Sequence, residues 1–101
     1  MSFGIPEKTM SLIISALKQN TVIERAAIFG SRSVGNYKNG SDIDIVIYGN
    51  NVTAETVNQL SIQLNEKLPI PYYVDVVHYE SLNHKPLKDH INKYGKVIYI
   101  K

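Results

Sequence analysis

The chain has no cysteine among its 101 residues, which excludes both disulfide staples and thiolate metal sites. A metal would have to be held by oxygen or imidazole, and carboxylate oxygens favour hard ions such as magnesium or manganese. An excess of one charge is also missing. The formal net charge is +2, too small to argue for a direct nucleic-acid partner. No run approaches the roughly 20 apolar residues that span a bilayer, so no membrane association is expected. The start, MSFGIPEKTM, lacks the basic segment and apolar run of a secretory signal, and the expected location is the cytoplasm. Repeats, low-complexity tracts and linkers are absent as well. What remains is the composition of an ordinary globular protein, 44% hydrophobic and 20% charged, with length for one domain over residues 1–101.

Periodicity predicts alternating helices and strands, hence an α/β or α+β domain. Pro6 and Glu7 suit a first helical turn, and Met10, Ile13, Ile14 and Leu17 make one apolar stripe to about Asn20. Residues 22–29 read as a strand ending at Gly30, and Ile43 to Tyr48 as a second. Thr53 is a plausible N-cap for a helix to about Lys67, with Val57, Leu60, Leu64 and Leu68 as its stripe and Pro69 and Pro71 as its stop. Tyr72 to His78 reads as a third strand. A short helix from Pro86 to Asn92 leads through Gly95 to a last strand, Lys96 to Ile100.

The chemistry concentrates between Phe29 and Ile45. Asp42 and Asp44 are two apart at the mouth of a strand, so their side chains share a face, with Cα atoms about 6.5 to 7 Å apart. Like charges so placed are unfavourable unless something positive lies between them, which makes the pair a natural clamp for a divalent cation. An Asp-X-Asp alone equally describes a turn cap followed by a solvated strand edge. Asp75 changes the balance, because it interrupts the apolar strand Tyr72 to Val77. An ionised carboxylate there is costly unless it is paired, metal-bound or on an open face. If its strand neighbours the Asp42–Asp44 strand, three carboxylates converge, and the third can accept a proton from an attacking hydroxyl.

Upstream, Gly30-Ser31-Arg32 follows a strand and opens a helical turn. Gly30 permits a sharp turn and close ligand approach. The N–H groups of Ser31 and Arg32, with the Ser31 hydroxyl, make an anion cradle, to which Arg32 adds a forked phosphate contact. The bland alternative is an ordinary turn with Ser31 as N-cap. No Gly-Lys-Ser/Thr follows, so this is not a P-loop. His78, His84 and His90 have no metal-ligand spacing and are assigned no role.

Gly30-Ser31, ten intervening residues and Asp42-Ile43-Asp44-Ile45 together resemble the signature of the DNA polymerase β-like nucleotidyltransferases. The small size and the Gly-Ser-Arg start most resemble their minimal nucleotidyltransferase (MNT) group. Asp75 and the closing Ile91 to Tyr99 extend the likeness over most of the chain from about residue 24. Many minimal members read Gly-Ser-Arg-Ala-Arg-Gly, whereas Val34 stands here in place of the second arginine.

The resemblance implies a mixed sheet of about four strands flanked by helices. It implies Asp42, Asp44 and Asp75 as metal and catalytic residues for Mg²⁺ or Mn²⁺, and Gly30, Ser31 and Arg32 as holders of the triphosphate. It further implies AMP transfer from ATP to a hydroxyl, such as a tyrosine of a helical HEPN-type partner, by the antitoxin of a toxin–antitoxin pair. A non-catalytic antitoxin or scaffold that works by binding is the alternative. The small core makes a homo- or hetero-oligomer a further expectation.

Overall fold

A computed structural model describes residues 3–101. Its element order is α1 (Glu7–Gln19), β1 (Arg25–Phe29), α2 (Ser31–Val34), β2 (Ile43–Tyr48), α3 (Ala54–Ile62), β3 (Val74–His78), α4 (Lys85–Tyr94) and β4 (Lys96–Ile100). The strands form one mixed sheet in the order β3-β2-β1-β4. The β1–β2 and β1–β4 pairs are antiparallel, and β2–β3 is parallel. The architecture is therefore α+β, a four-stranded sheet with helices against it. No helix among the described residues is long and apolar enough to cross a membrane.

Alternation along the strands divides the side chains between two faces. Ile28 of β1, Ile43, Ile45 and Ile47 of β2, and Val74 and Val76 of β3 enter the main core. There they meet Ile13, Ala16 and Leu17 of α1 with Leu60 of α3 and Leu64 beyond it. The residues between them, Ala27, Phe29 and Val46, face the other way and pack with Ile91 of α4 in a smaller cluster. The same alternation puts Asp44 and Asp75 on this second face.

Both expected apolar stripes are present: Ile13, Leu17, Leu60 and Leu64 are fully buried, while Met10, Ile14, Val57 and Leu68 pack at the margin. Thr53 caps α3 through a reciprocal box, its Oγ1 accepting from the Thr56 N–H at 3.2 Å while the Thr56 hydroxyl accepts from the Thr53 N–H at 3.2 Å.

Besides α4, which runs Lys85–Tyr94 instead of Pro86 to Asn92, three boundaries differ from expectation. β1 begins at Arg25 rather than residue 22, because the Ile23 N–H turns back to the Asn20 carbonyl at 3.0 Å. Ile23 is buried all the same. β3 begins at Val74, after the prolines that cannot donate to a ladder. The last turn of the α3 region widens into a π-helix, Gln63–Lys67. From that turn Asn65 accepts from the Val74 N–H and donates to the Val74 carbonyl, both at 2.8 Å. It thereby satisfies the outer edge of β3 at the residue before Asp75.

Candidate active site

The parallel register places Asp44 directly beside Asp75 on the second face of the sheet. Neighbouring strands are about 4.8 Å apart, so the two carboxylates share one neighbourhood. The condition set by the sequence, that the Asp75 strand lie next to the Asp42–Asp44 strand, is met. Asp42 stands one residue before β2 and is exposed, as is Asp75, while Asp44 is half-buried.

The electrostatics follow from that placement. Asp44 has its carboxyl pushed above the ordinary value of 3.8, chiefly by burial, then by the negative charges of Asp75 and Asp42. His90 and Arg32 pull in the opposite direction. Three acids and two basic side chains thus act on one point. The acids are not drawn into a ready-made shell: among the described residues no three acidic or histidine side chains are grouped to hold a metal ion. They are nonetheless hard oxygen donors in mutual repulsion, which is the donor set a divalent cation suits.

Gly30 joins the cradle to this acidic face. Its φ of +73° and ψ of −154° lie in a region that is essentially glycine-only. A Cβ at this position would run into the Asp44 carboxylate, so the backbone crosses directly over that side chain. Gly30, not Ser31, occupies the N-cap position of α2, and no side chain caps that end. The N–H groups of Ser31 and Arg32 and the Ser31 hydroxyl have no hydrogen-bond partner among the described residues. Ser33 instead donates from its hydroxyl to the Gly30 carbonyl at 2.9 Å.

Arg32 is placed differently from expectation. Its guanidinium was expected to fork onto phosphate, yet the residue is only 3% exposed. Nε and Nη2 donate to the Ser41 carbonyl at 3.1 and 2.7 Å, and Nη1 donates to the Phe3 carbonyl at 3.0 Å. The Tyr37 and Tyr72 rings lie 4.9 and 5.0 Å from it. A planar fork of donors is well suited to gathering carbonyls from separate segments. Arg32 therefore ties the segment before α1 to Ser41, the residue preceding Asp42. Val34, in the place of the second arginine, is 41% exposed.

The histidines also have partners that spacing did not reveal. His84 caps α4, its Nδ1 accepting from the Leu87 N–H at 3.3 Å. His78 bridges the Gly49 carbonyl and the Ser81 hydroxyl at 2.8 and 2.7 Å. His90 accepts the Gly30 N–H on Nε2 at 2.9 Å, across 60 positions of sequence. The helical stripe Leu87, His90, Ile91 and Tyr94 was the available signal, since it sets His90 on the sheet-facing side of α4. An open groove of about 530 Å³ between α1 and β4, lined by Phe3, Met10, Ile14 and residues 95–98, contains no carboxylate and is not this site.

The sequence model of the family Polymerase beta, Nucleotidyltransferase matches residues 12–101. The chain belongs to this family. Among curated proteins none matches. Among solved structures, a toxin–antitoxin crystallised with AMP-PNP is similar at 26% identity and a TM-score of 0.75, over 91% of this chain and 73% of that one. The toxin–antitoxin MntA–HepT is similar at 21% identity and a TM-score of 0.71, over 95% and 74%. An MNT antitoxin complexed with a tri-AMPylated HEPN toxin from Shewanella oneidensis is similar at 22% identity and a TM-score of 0.70, over 94% and 72%. The nucleotidyltransferase fold expected from the Gly-Ser and Asp-X-Asp signature is the fold found.

Proposed function

We propose that this nucleotidyltransferase transfers AMP from ATP to a hydroxyl of a HEPN-type partner, a tyrosine by preference, and so acts as the antitoxin of a toxin–antitoxin pair. The observation that carries the reading is the Asp44–Asp75 register, with Asp42 adjoining and Gly30 laid over Asp44. Similarity to a toxin–antitoxin bound to AMP-PNP supports a nucleoside triphosphate as the donor. The tri-AMPylated HEPN toxin beside an MNT antitoxin supports the acceptor.

In this reading Ser31 and the first N–H groups of α2 bind the triphosphate, while Arg32 fixes the approach to Asp42 from within. Asp42 and Asp44, completed by Asp75, would hold magnesium or manganese, whose charge offsets that building on the phosphate oxygens. The acceptor oxygen attacks the α-phosphorus, and the bond to the β-phosphate bridging oxygen breaks as the new O–P bond forms. Pyrophosphate leaves. Asp75, exposed at the edge strand, takes the hydroxyl proton, and holding acceptor and phosphorus in line supplies much of the acceleration.

Intact-mass analysis of the co-expressed HEPN-type partner after incubation with ATP and magnesium tests this. Successive gains of one AMP, lost with Asp44→Asn, are expected. No gain under conditions where ATP binds sinks the transfer reading. If Asp44→Asn still neutralises the partner as the parent does, neutralisation is by binding alone.

A further inference from the structure

Gly30 has a single N–H, and in this structure that N–H is already taken. His90 Nε2 accepts it at 2.9 Å, so this nitrogen carries no proton. The ring is fixed from two sides: Phe29 meets it edge-on at 6.2 Å and Tyr94 lies at 5.2 Å. Phe29 is itself buried in the cluster that seats α4 on the sheet. The imidazole is thus anchored by α4 and laid against the turn that passes over Asp44.

We propose that His90 is a displaceable stand-in for phosphate: it holds the Gly30 N–H in the nucleotide-free chain and yields it to a triphosphate oxygen on loading. This inference rests on the nucleotide-binding reading above. An anionic phosphate oxygen is a stronger acceptor than a neutral imidazole nitrogen, so the exchange favours the ligand. The neighbouring N–H groups of Ser31 and Arg32 have no competing acceptor among the described residues, which leaves Gly30 as the donor a ligand must win. His90 is a positioning residue in this role. It holds the Gly30 turn in place while the site is empty, and it lowers affinity by the strength of the bond it gives up.

Two substitutions separate acceptor from ring. His90→Phe keeps packing against Phe29 and Tyr94 but has no acceptor, whereas His90→Gln keeps an acceptor of similar reach and loses the ring. Calorimetric titration with ATP and magnesium is expected to show His90→Phe binding about two- to tenfold more tightly than the parent, with His90→Gln near the parent. In the parent, the Gly30 amide proton resonance should move on saturation with ATP. Without nucleotide, exchange of that proton with solvent should speed up in His90→Phe and not in His90→Gln.

Equal or weaker binding by His90→Phe, with the parent still binding ATP, overturns the role of His90 and leaves the nucleotidyltransferase reading standing. A Gly30 amide that stays put in the parent while ATP binds does the same, and it needs no variant to fold. Failure of the parent and both variants to bind ATP overturns both readings.

Discussion

Replacing Arg32 decides whether its guanidinium holds the fold or a phosphate. The side chain is 3% exposed and donates three hydrogen bonds, two to the Ser41 carbonyl and one to that of Phe3. Hydrogen bonds from a charged donor contribute about 1.5–3 kcal/mol each, and the Tyr37 and Tyr72 ring contacts add about 0.5–1 kcal/mol each. Against their loss stands the hydration that a buried cation forgoes, an effective several kcal/mol. Arg32→Ala is therefore expected to lose about 3–5 kcal/mol of the roughly 5–15 kcal/mol that stabilises a domain. Arg32→Lys keeps the charge and stem but cannot reach two carbonyls in a planar fork, and should lose about 2 kcal/mol. Urea unfolding followed by circular dichroism reads both as a lower midpoint at unchanged slope. A phosphate-binding Arg32 gives the opposite pattern: Arg32→Lys unfolds with the parent while its ATP affinity falls. That pattern would refute the structural role. The effect reaches the site either way, because Ser41 is bonded to Asp42, and a loosened Ser41 leaves the first carboxylate of the pair without a fixed approach.

Two further outcomes follow from the acidic face. Asp44 has a raised pKa, so its contribution is fully present below the unfolded value of 3.8, is lost as pH rises through the folded value, and is a penalty above it. Metal-free Asp44→Asn should accordingly be more stable than the parent near pH 7, by a margin that vanishes as pH falls below about 4. Urea midpoints at the two pH values check this, and a variant less stable than the parent at neutral pH would show that Asp44 has a stabilising partner. Gly30→Ala would force a Cβ into the Asp44 carboxylate at a glycine-only backbone conformation, a strain of about 1–3 kcal/mol. Loss of ATP binding together with a lowered urea midpoint is expected; parent-like affinity would mean the turn does not lie over Asp44 when nucleotide is bound.

Local pattern carried most of the fold. β2 and β4 run where alternation and the flanking glycines put them, and Thr53 starts α3 as an N-cap should. The misses are places where burial and secondary structure part company. Ile23 is as buried as a strand residue while only closing the turn before β1, so hydrophobicity could not mark the start of that strand. The π-turn from Gln63 to Lys67 keeps the apolar period of the helix through Leu64, and its purpose shows only in the pair of bonds from Asn65 to Val74.

The candidate site divides along the same line. The spacing of Asp42, Asp44 and Gly30 is local and could be read as a pattern, whereas the approach of Asp75 depends on a parallel pairing that alternation cannot specify. The surroundings of Arg32 and His90 could not be read from spacing, since each has a long-range contact, to Phe3 and to Gly30. Arg32 is also the fixed cation that offsets the acids around Asp44, whereas His90, accepting the Gly30 N–H, adds a contact. One is locked to backbone carbonyls and cannot follow a ligand without unfolding its surroundings. The other holds a single neutral bond at the margin of α4, which a phosphate oxygen can replace. The acidic face thus has one fixed positive neighbour and one contact that the proposed exchange would release, so that loading with a metal-bound triphosphate, as proposed above, would disturb only the second.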